Sequence, residues 1–267
     1  TAFFGGDPDN FNFPRFNLDV GFVRLYENGK PAATPTHLTW VSRAPQEGEA
    51  TFVSGNPGST NRLMTVSQLE TLRDLTIPVG QLQRSEIRGR LAQFGQESAE
   101  HKRIATDPLF GIENSFKVFY GQQSALNDKA FMDAKRAQEA ELKGKVAADP
   151  KLAAEIGDPW GDIAKAQAAY ANNYLRYRQI EGGAAYSNLY YYAQTLVRAA
   201  QEREKPSAER LAEYADTRLP LVEKKVLDAK PVDAELEEVY LAFWLSKTRE
   251  YLTTDDPAVK TLLGKES

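Results

Sequence analysis

The residue pattern changes abruptly near Val66, and this change limits the folds that the chain can adopt. Before it, short runs of β-branched and aromatic residues alternate with clusters of Gly, Pro, Asn and Asp, which is typical of strands and tight turns. After it, apolar residues recur at intervals of three and four, which indicates helices. We therefore predict an α+β fold, predominantly α, with a β-rich segment at 1–66 and an α-helical domain at 67–267.

Three strands are predicted in the β-rich segment. They cover residues 20–26, 37–42 and 50–54, and Asn28-Gly29 after the first of them predicts a hairpin turn. Three strands cannot close a barrel or cover both faces of a sheet. The segment is therefore expected to be part of a larger β-structure.

About seven helices are predicted in the remainder. The expected breaks and starts share a proline or paired glycines: Ile77-Pro78, Asp107-Pro108, Asp149-Pro150, Asp158-Pro159, Gly182-Gly183, Pro206-Ser207, Pro220 and Pro231. One long helix is predicted from Asp107-Pro108 to about Ala148, and a helix before it spans 81–101. A last short helix is expected at 256–263.

Composition excludes several classes of protein. The chain has 267 residues, no cysteine, two histidines and a net charge of −4. It therefore has no disulfide and no Cys nucleophile, and its charge does not favour nucleic-acid binding. No apolar run is long enough for a membrane span. We predict neither a cofactor nor a metal site. Since the chain begins with Thr and shows no signal peptide, we expect a mature, trimmed or excised piece.

Two loops invite ligand hypotheses that their details weaken. Asp7 and Asp9 begin like a calcium loop, but Phe11, Asn12 and Leu18 occupy places where an EF-hand needs an oxygen ligand, a glycine and a glutamate. An isolated calcium contact stays open. The loop 55–59, GNPGS, lacks the lysine of a phosphate loop. A strand-to-helix turn is the simpler interpretation of it.

A catalytic triad within this chain would need Asp19, His37 and Ser59, and the sequence alone does not exclude it. The plainer interpretation places His37 along an ordinary strand. His101, at the end of a polar helix, is expected to be solvated. Acidic pairs on the helices could suggest glycoside hydrolysis, but they lie on charged faces where solvation is the default.

Tyrosines crowd two neighbouring helical segments. Tyr170, Tyr174 and Tyr177 share one face, and Tyr186 to Tyr192 include four tyrosines. Packing between helices is the preferred interpretation, and a ligand cage is the alternative.

The densest special chemistry lies in the first nineteen residues, where residues 5–19 read GGDPDNFNFPRFNLD. Gly5-Gly6 permits unusual backbone angles, and the Asp-Pro-Asp-Asn run that follows is turn chemistry. Asp19 stands at the start of a predicted strand, directly after this loop. A carboxylate there is well placed to orient a partner side chain.

This segment resembles the signature of the bacterial dipeptidyl-peptidase 7/11 family of serine peptidases, G-G-D-x-D-N-[FW]-x-[FW]-P-R-x-x-x-D, and matches every fixed position of it. Three further segments agree with the same family. They are LYENGKP at 25–31, SGNPGSTNR at 54–62 and NSFK at 114–117. The similarity extends over the whole chain.

The resemblance implies a chymotrypsin-like double β-barrel with a Ser-His-Asp triad and an inserted helical domain that covers the cleft. It implies that Asp19 is the triad aspartate, and that Asn10, Phe11 and Asn114 bind the N-terminal amine of the substrate. The expected substrates are peptides with a free N-terminus, in the periplasm or at the cell surface. The full-length protein is expected to be capable of forming a homodimer.

The same resemblance implies that the catalytic histidine precedes this chain and that the nucleophilic serine follows it. The chain is then expected to be a middle piece, the tail of the first barrel plus an incomplete lid domain, and to be inactive alone. The alternative is a stand-alone helical binding or scaffold protein without catalysis.

Overall fold

The computed structural model describes residues 21–52, 54–55, 61, 63–182, 186–228 and 231–264. The chain divides into two units, Thr1–Met64 and Thr65–Ser267. Each unit follows from a different kind of sequence pattern, and they are described separately below.

A single hairpin provides the regular β-structure in the described part of the first unit. Strands β1 (Tyr26–Glu27) and β2 (Lys30–Pro31) are antiparallel, with Tyr26 opposite Pro31. Asn28 and Gly29 between them have φ angles of 52° and 76°. Two consecutive positive φ angles are what a tight hairpin turn requires, and Asn-Gly provides them at little cost. The predicted turn is confirmed.

The three predicted strands are corrected by the structure. The first is reduced to β1, residues 37–42 form no strand, and neither do the described residues of 50–54. Leu38 and Phe52 are 95% and 94% exposed. A strand needs a neighbour for its backbone hydrogen bonds, and the hairpin is the only pairing among the described residues of this unit. Strand-forming side chains alone do not supply one.

The second unit is helical, so the predicted class, α+β and predominantly α, is confirmed. Its described α-helices, numbered in chain order, are α1 Val66–Thr71, α2 Ile77–Glu97, α3 Ala99–Asn127, α4 Lys129–Ala148, α5 Pro150–Ile156, α6 Pro159–Arg176, α7 Asn188–Arg203, α8 Leu219–Leu227, α9 Ala234–Leu252 and α10 Pro257–Leu263. Wider π-helical turns follow α1 at Leu72–Thr76 and α6 at Tyr177–Glu181.

The predicted break at Ile77-Pro78 is wrong, because the chain stays helical from α1 through the π-helical turn into α2. Pro78 directly follows the π-helical turn, where the hydrogen-bond pattern of the helix changes and a missing backbone N–H can be accommodated. The predicted start at Asp107-Pro108 is also wrong, since Pro108 lies inside α3. The real boundary is Ser98, whose side chain accepts a hydrogen bond from the backbone N–H of His101 at 3.0 Å.

The predicted long helix to Ala148 is divided at Asp128. The Asp128 carboxylate accepts hydrogen bonds from the backbone N–H groups of Ala130 and Phe131, so it caps α4. The charged, alanine-rich pattern continues across this point, and periodicity alone therefore did not show the break.

The two Asp-Pro boundaries at 149–150 and 158–159 are confirmed. Asp149 and Asp158 cap α5 and α6, and in both helices the proline occupies the first turn. Pro206-Ser207 starts only a 3-10 turn, Ser207–Glu209, instead of the predicted helix.

The described core of the helical unit lies where α2, α3 and α9 meet. Its buried members are Ile87, Leu91, Ile112, Tyr240 and Phe243. Burying a side chain of this size stabilises the fold by about 1.5–3 kcal/mol. This packing therefore fixes the faces of the three helices that carry the polar groups considered next. Among the described residues, no helix has the length and hydropathy that a membrane crossing requires.

Candidate functional site

Most of the predicted site residues lie outside the described part of the chain. Asp19, Asn10 and Phe11 belong to this group, and so does Ser59. Asn114 is the one predicted amine-binding residue whose position the structure describes.

Asn114 lies half-buried on α3, on a stretch whose register against α2 is fixed on both sides. Arg88 Nε lies 3.0 Å from Glu113 Oε1, and Gln81 Nε2 donates to the carbonyl of Phe116 at 3.0 Å. These contacts hold the backbone before and after Asn114. The side-chain amide of Asn114 can accept a hydrogen bond from an ammonium or donate one to a carbonyl.

Phe110, Asn114 and Lys117 share one face of α3, because they are four and three residues apart. None of the three is free of interactions. The face therefore combines an aromatic ring, an amide and a cation.

We predicted that His37 lies on a strand, but it lies in an exposed loop. Its Nδ1–H donates to the carbonyl of Thr34 at 3.0 Å. The other two members of the hypothetical internal triad, Asp19 and Ser59, fall outside the described residues.

We predicted that His101 is solvated, but the structure shows that it is packed against other side chains. Its ring stacks on Phe94 with the centroids 4.1 Å apart, and its side chain is 19% exposed. Nδ1 lies 3.2 Å from Glu97 Oε2, and Nε2 lies 2.6 Å from Glu235 Oε2. The prediction was wrong because α2 ends before His101, which places this residue in the first turn of α3. From there it links α2 to the start of α9.

The tyrosine-rich segments both pack helices together and line a cavity, which the sequence analysis treated as alternatives. They pack helices together: Tyr174 is buried, and Tyr190 packs on Trp244 with centroids 4.9 Å apart. They also line a cavity of about 180 Å³, which therefore has walls from α2, α6, its π-helical turn and α9. The cavity-lining residues are Gln83, Tyr170, Tyr174, Tyr177, Arg178, Gln179, Gly182, Tyr186, Tyr240, Phe243, Trp244 and Lys247.

Hydrogen bonds to the π-helical turn fix the polar edge of this cavity. Arg178 Nε donates to Gln83 Oε1 at 2.7 Å, and Trp244 Nε1 donates to the carbonyl of Gln179 at 2.8 Å. Gln83 and Gln179 are 5% and 3% exposed. The turn is therefore bonded to α2 on one side and to α9 on the other, so the Arg178 side chain is held at a defined place.

Two guanidinium groups set the electrostatics here. Burial raises the pKa of Tyr186, and the charges of Arg84 and Arg178 act against that rise. Burial lowers the pKa of Arg84, and the neighbouring positive charge of Arg178 adds to this effect. Arg84 also lies over the ring of Phe119, with Cζ 3.9 Å from the centroid.

Sequence reasoning did not single out Arg178 as a site residue. The signal was present, because Tyr170, Tyr174 and Arg178 recur at intervals of four and so share a helix face. A cation on the same helix face as two aromatic side chains indicates a surface that can bind a ligand and does not only pack against another helix. Among the residues the structure describes, no group of acidic or histidine side chains has the arrangement of a metal site.

Comparison with known proteins places these observations in a family. The Peptidase S46 family model matches residues 1–267. An Asp/Glu-specific dipeptidyl-peptidase of Shewanella putrefaciens is 26% identical over 263 residues, which cover 93% of this chain and 35% of that protein.

Two further relatives, both named dipeptidyl-peptidase 7, show the same pattern of coverage. A dipeptidyl-peptidase 7 of Phocaeicola vulgatus is 26% identical, covering 80% of this chain and 32% of its own length. A dipeptidyl-peptidase 7 of Capnocytophaga gingivalis is 27% identical, covering 81% and 34%. The chain thus spans about a third of the length of these curated relatives. With a family match over its whole length, the chain belongs to the Peptidase S46 family.

Proposed function

We propose that this chain is part of a serine-type dipeptidyl-peptidase that releases dipeptides from the free N-termini of peptides. The observation that carries the proposal is the S46 match over residues 1–267, together with relatives that are named dipeptidyl-peptidases. In this proposal residues 1–66 are the tail of the first barrel, and 67–267 form the helical domain that covers the cleft. The exposed Leu38, Trp40 and Phe52 support it, since they would pack against the rest of such a barrel.

Asp19 is assigned the role of the triad aspartate. A carboxylate in that role accepts a hydrogen bond from Nδ1–H of the catalytic histidine, which fixes its tautomer and stabilises the imidazolium. The position of Asp19 in the family signature supports the assignment.

Asn10, Phe11 and Asn114 are assigned to recognition of the substrate amine. A free α-ammonium has three N–H donors and needs several oxygen acceptors that converge on it. Two asparagine side chains from different parts of the chain supply such acceptors. A helical domain over the cleft would exclude water from these contacts and limit the peptide to two residues before the cut.

The triad histidine and the nucleophilic serine are expected outside this sequence. The coverage of about a third of each relative is consistent with this, and so is the loop contact of His37. The chain by itself is therefore expected to be inactive. We place the whole protein in the periplasm or at the cell surface, and a homodimer remains a proposal for it.

The test compares the product of the complete source gene with this chain, using dipeptide substrates that release a chromophore and that carry either a free or an acetylated N-terminus. Activity is expected only from the complete product and only on free N-termini. In that product, Asp19→Asn is expected to lower kcat by about 10⁴-fold, as loss of the triad aspartate does elsewhere. Asn114→Ala is expected to raise KM for free N-termini, whereas Asn172→Ala, on an exposed part of α6, should change nothing.

Two results would contradict the proposal. One is dipeptide release by this chain alone that survives Asp19→Asn. The other is a complete gene product of 29.8 kDa, the mass of this chain, which would favour the alternative of a stand-alone binding or scaffold protein. An immunoblot of source cells with antibodies against the chain measures that mass, and fractionation of the same cells tests the location.

A further inference from the structure

The cavity between α2, α6 and α9 has a positively charged wall, and no acidic side chain in the described part of the chain balances it. Within the described residues, neither Arg84 nor Arg178 makes an ion pair with a carboxylate. Arg198 on α7 shows the usual arrangement, because its guanidinium lies 2.6 Å from Glu181 Oε1. Arg178 lines the cavity, and Arg84 lies close enough to act on it electrostatically without lining the cavity itself. A guanidinium in the cavity wall with no described carboxylate partner requires an explanation.

The third cation at the cavity does not change this balance. Lys247 Nζ lies 2.5 Å from Glu86 Oε2 and also pairs with Glu250, and Glu86 in turn accepts from Arg90 at 2.7 Å. Two cations and two carboxylates cancel within this network. The charges of Arg84 and Arg178 remain.

Burial makes the charge of Arg84 unfavourable. Burial lowers the pKa of Arg84, which means that the surroundings disfavour its charged form. The face of Phe119 compensates in part through a cation–π contact. Arg178 uses Nε for Gln83, and no hydrogen bond from a described residue occupies its two terminal nitrogens, whose geometry suits a planar, bidentate partner.

The shape of the cavity restricts what that partner can be. Its volume of about 180 Å³ is below the roughly 300–1,000 Å³ of sites for drug-sized ligands. The rings of Tyr240, Phe243 and Trp244 make one wall apolar, while the guanidinium side is cationic. A ligand that satisfies both walls has an apolar body and one anionic end.

We propose that this cavity binds a carboxylate carried on an aromatic or aliphatic group the size of an amino-acid side chain. Arg178 would form the bidentate contact. Arg84 does not line the cavity, but its positive charge lies close to Arg178 and would add electrostatic attraction for the carboxylate. The proposal does not rest on the peptidase activity, so either can fail without the other.

The test uses benzoate as the probe and benzamide as its neutral counterpart of the same shape. The chain has three tryptophans, so its indole N–H signals in a ¹H–¹⁵N spectrum can be assigned one by one. Trp244 lines the cavity, whereas Trp160 lies near Lys143 on the side of α6 toward α4, and Trp40 lies in the other unit. Benzoate is expected to shift the Trp244 signal saturably and leave the other two in place, and benzamide is expected to shift none.

The variants separate the charge from the fold. Arg178→Gln is expected to weaken benzoate binding at least about tenfold, as loss of a charge-assisted bidentate contact should. Arg198→Gln is the matched control and should bind as the parent does. An unchanged Trp160 signal, from the same helical unit, together with an unchanged helix signal in circular dichroism, shows that a variant is folded. If Arg178→Gln fails to fold, Arg84→Gln decides, with a several-fold weakening expected.

Three outcomes would overturn the proposal: equal shifts with benzoate and benzamide, equal losses in the Arg178 and Arg198 variants, or no saturable shift with benzoate. Two peptides then distinguish the source of the carboxylate. Gly-Glu-amide offers only a side-chain carboxylate, and Gly-Gln offers only the C-terminal one. Binding of either supports the proposal and names its source, whereas binding of inorganic phosphate alone would overturn it.

Discussion

The two units of this chain contain similar apolar side chains but bury them very differently. In the described part of the first unit, Leu38 and Phe52 are almost fully exposed. In the helical unit, Leu91 and Ile87 are both 0% exposed. Apolar composition is therefore not what separates a packed region from an open one. The two regions differ instead in where their backbone groups find hydrogen-bond partners.

A helix satisfies its backbone within its own segment, whereas a strand needs a neighbour. The helices α2, α3 and α9 can each form without a neighbour. Their apolar faces then pack together within this chain. The residues at 37–42 and 50–52 have the composition of strands but no described partner to pair with. The comparison predicts that the described residues of the first unit gain stability only where a partner strand or surface covers them.

A matched pair of leucine substitutions tests this contrast and gives the largest expected effect. Leu91→Ala should lower the free energy of unfolding by about 2–5 kcal/mol, because it removes buried methyl groups and leaves a cavity. Leu38→Ala should change it by less than about 0.5 kcal/mol. Urea unfolding followed by circular dichroism at the helix signal measures Leu91→Ala, and unfolding followed by the indole N–H signal of Trp40 in the first unit measures Leu38→Ala.

The contrast would be broken by a similar loss in the two variants, since Leu38 would then be packed in solution. It would be sharpened if Leu38→Ala became destabilising only in the complete gene product. That result would locate the partner surface of the first unit outside this chain.

The helical architecture was largely predictable from the sequence, because periodicity and capping are local. Asp149 and Asp158 marked real boundaries, since an N-cap followed by proline forces the chain out of one helix and into the next. Pro78 and Pro108 misled, because Pro78 follows a π-helical turn without a break in the helical path and a long, well-packed helix accommodates Pro108. The lengths of the helices were therefore less certain than their presence.

The candidate site was less predictable, for a physical reason. Asp19, Asn10 and Phe11 came from a family signature, and their geometry lies outside the described residues. The cavity of Arg178 comes from three helices that are distant in sequence, and only packing brings them together. Local patterns predict elements well, but a site between elements depends on contacts that no local pattern contains.

A buried carboxylate on α9 gives the next largest effect, and it tests long-range contacts of the helical unit. Glu237 is 4% exposed and accepts hydrogen bonds from Ser187 Oγ at 2.5 Å and from the backbone N–H of Asn188 at 3.0 Å. Glu237→Gln places an amide against these donors and should destabilise the chain by about 1.5–3 kcal/mol. Glu238→Gln, one residue further and exposed, should cost less than about 0.5 kcal/mol. Thermal unfolding of both variants at neutral pH measures the difference, and equal midpoints would show that Glu237 does not hold the start of α7.

The smallest predicted effect concerns two glutamates, one in each unit, and both have a lowered pKa. Burial acts to raise the pKa of Glu139, but hydrogen bonds from Lys143 and from the backbone N–H of Val66, at 2.6 Å each, hold it below its ordinary range. The bond from Arg43 lowers the pKa of Glu49 to about 2, yet this pair lies in water, with 54% and 41% of the two side chains exposed. Screening and side-chain entropy leave little net stability in an exposed pair.

A lowered carboxyl pKa gives stability that is present above the ordinary glutamate value of about 4.3 and is lost as the pH falls through the folded value. Glu139→Gln should therefore cost about 1 kcal/mol at pH 7 and progressively less as the pH is lowered below about 4. Glu49→Gln should have no measurable effect at either pH, despite its larger pKa shift. Urea unfolding of both variants at several values between pH 3 and pH 7 makes the comparison. If Glu49→Gln showed the larger pH-dependent loss, the Arg43 pair would be protected from water in solution. The first unit would then be better packed than its exposed side chains indicate.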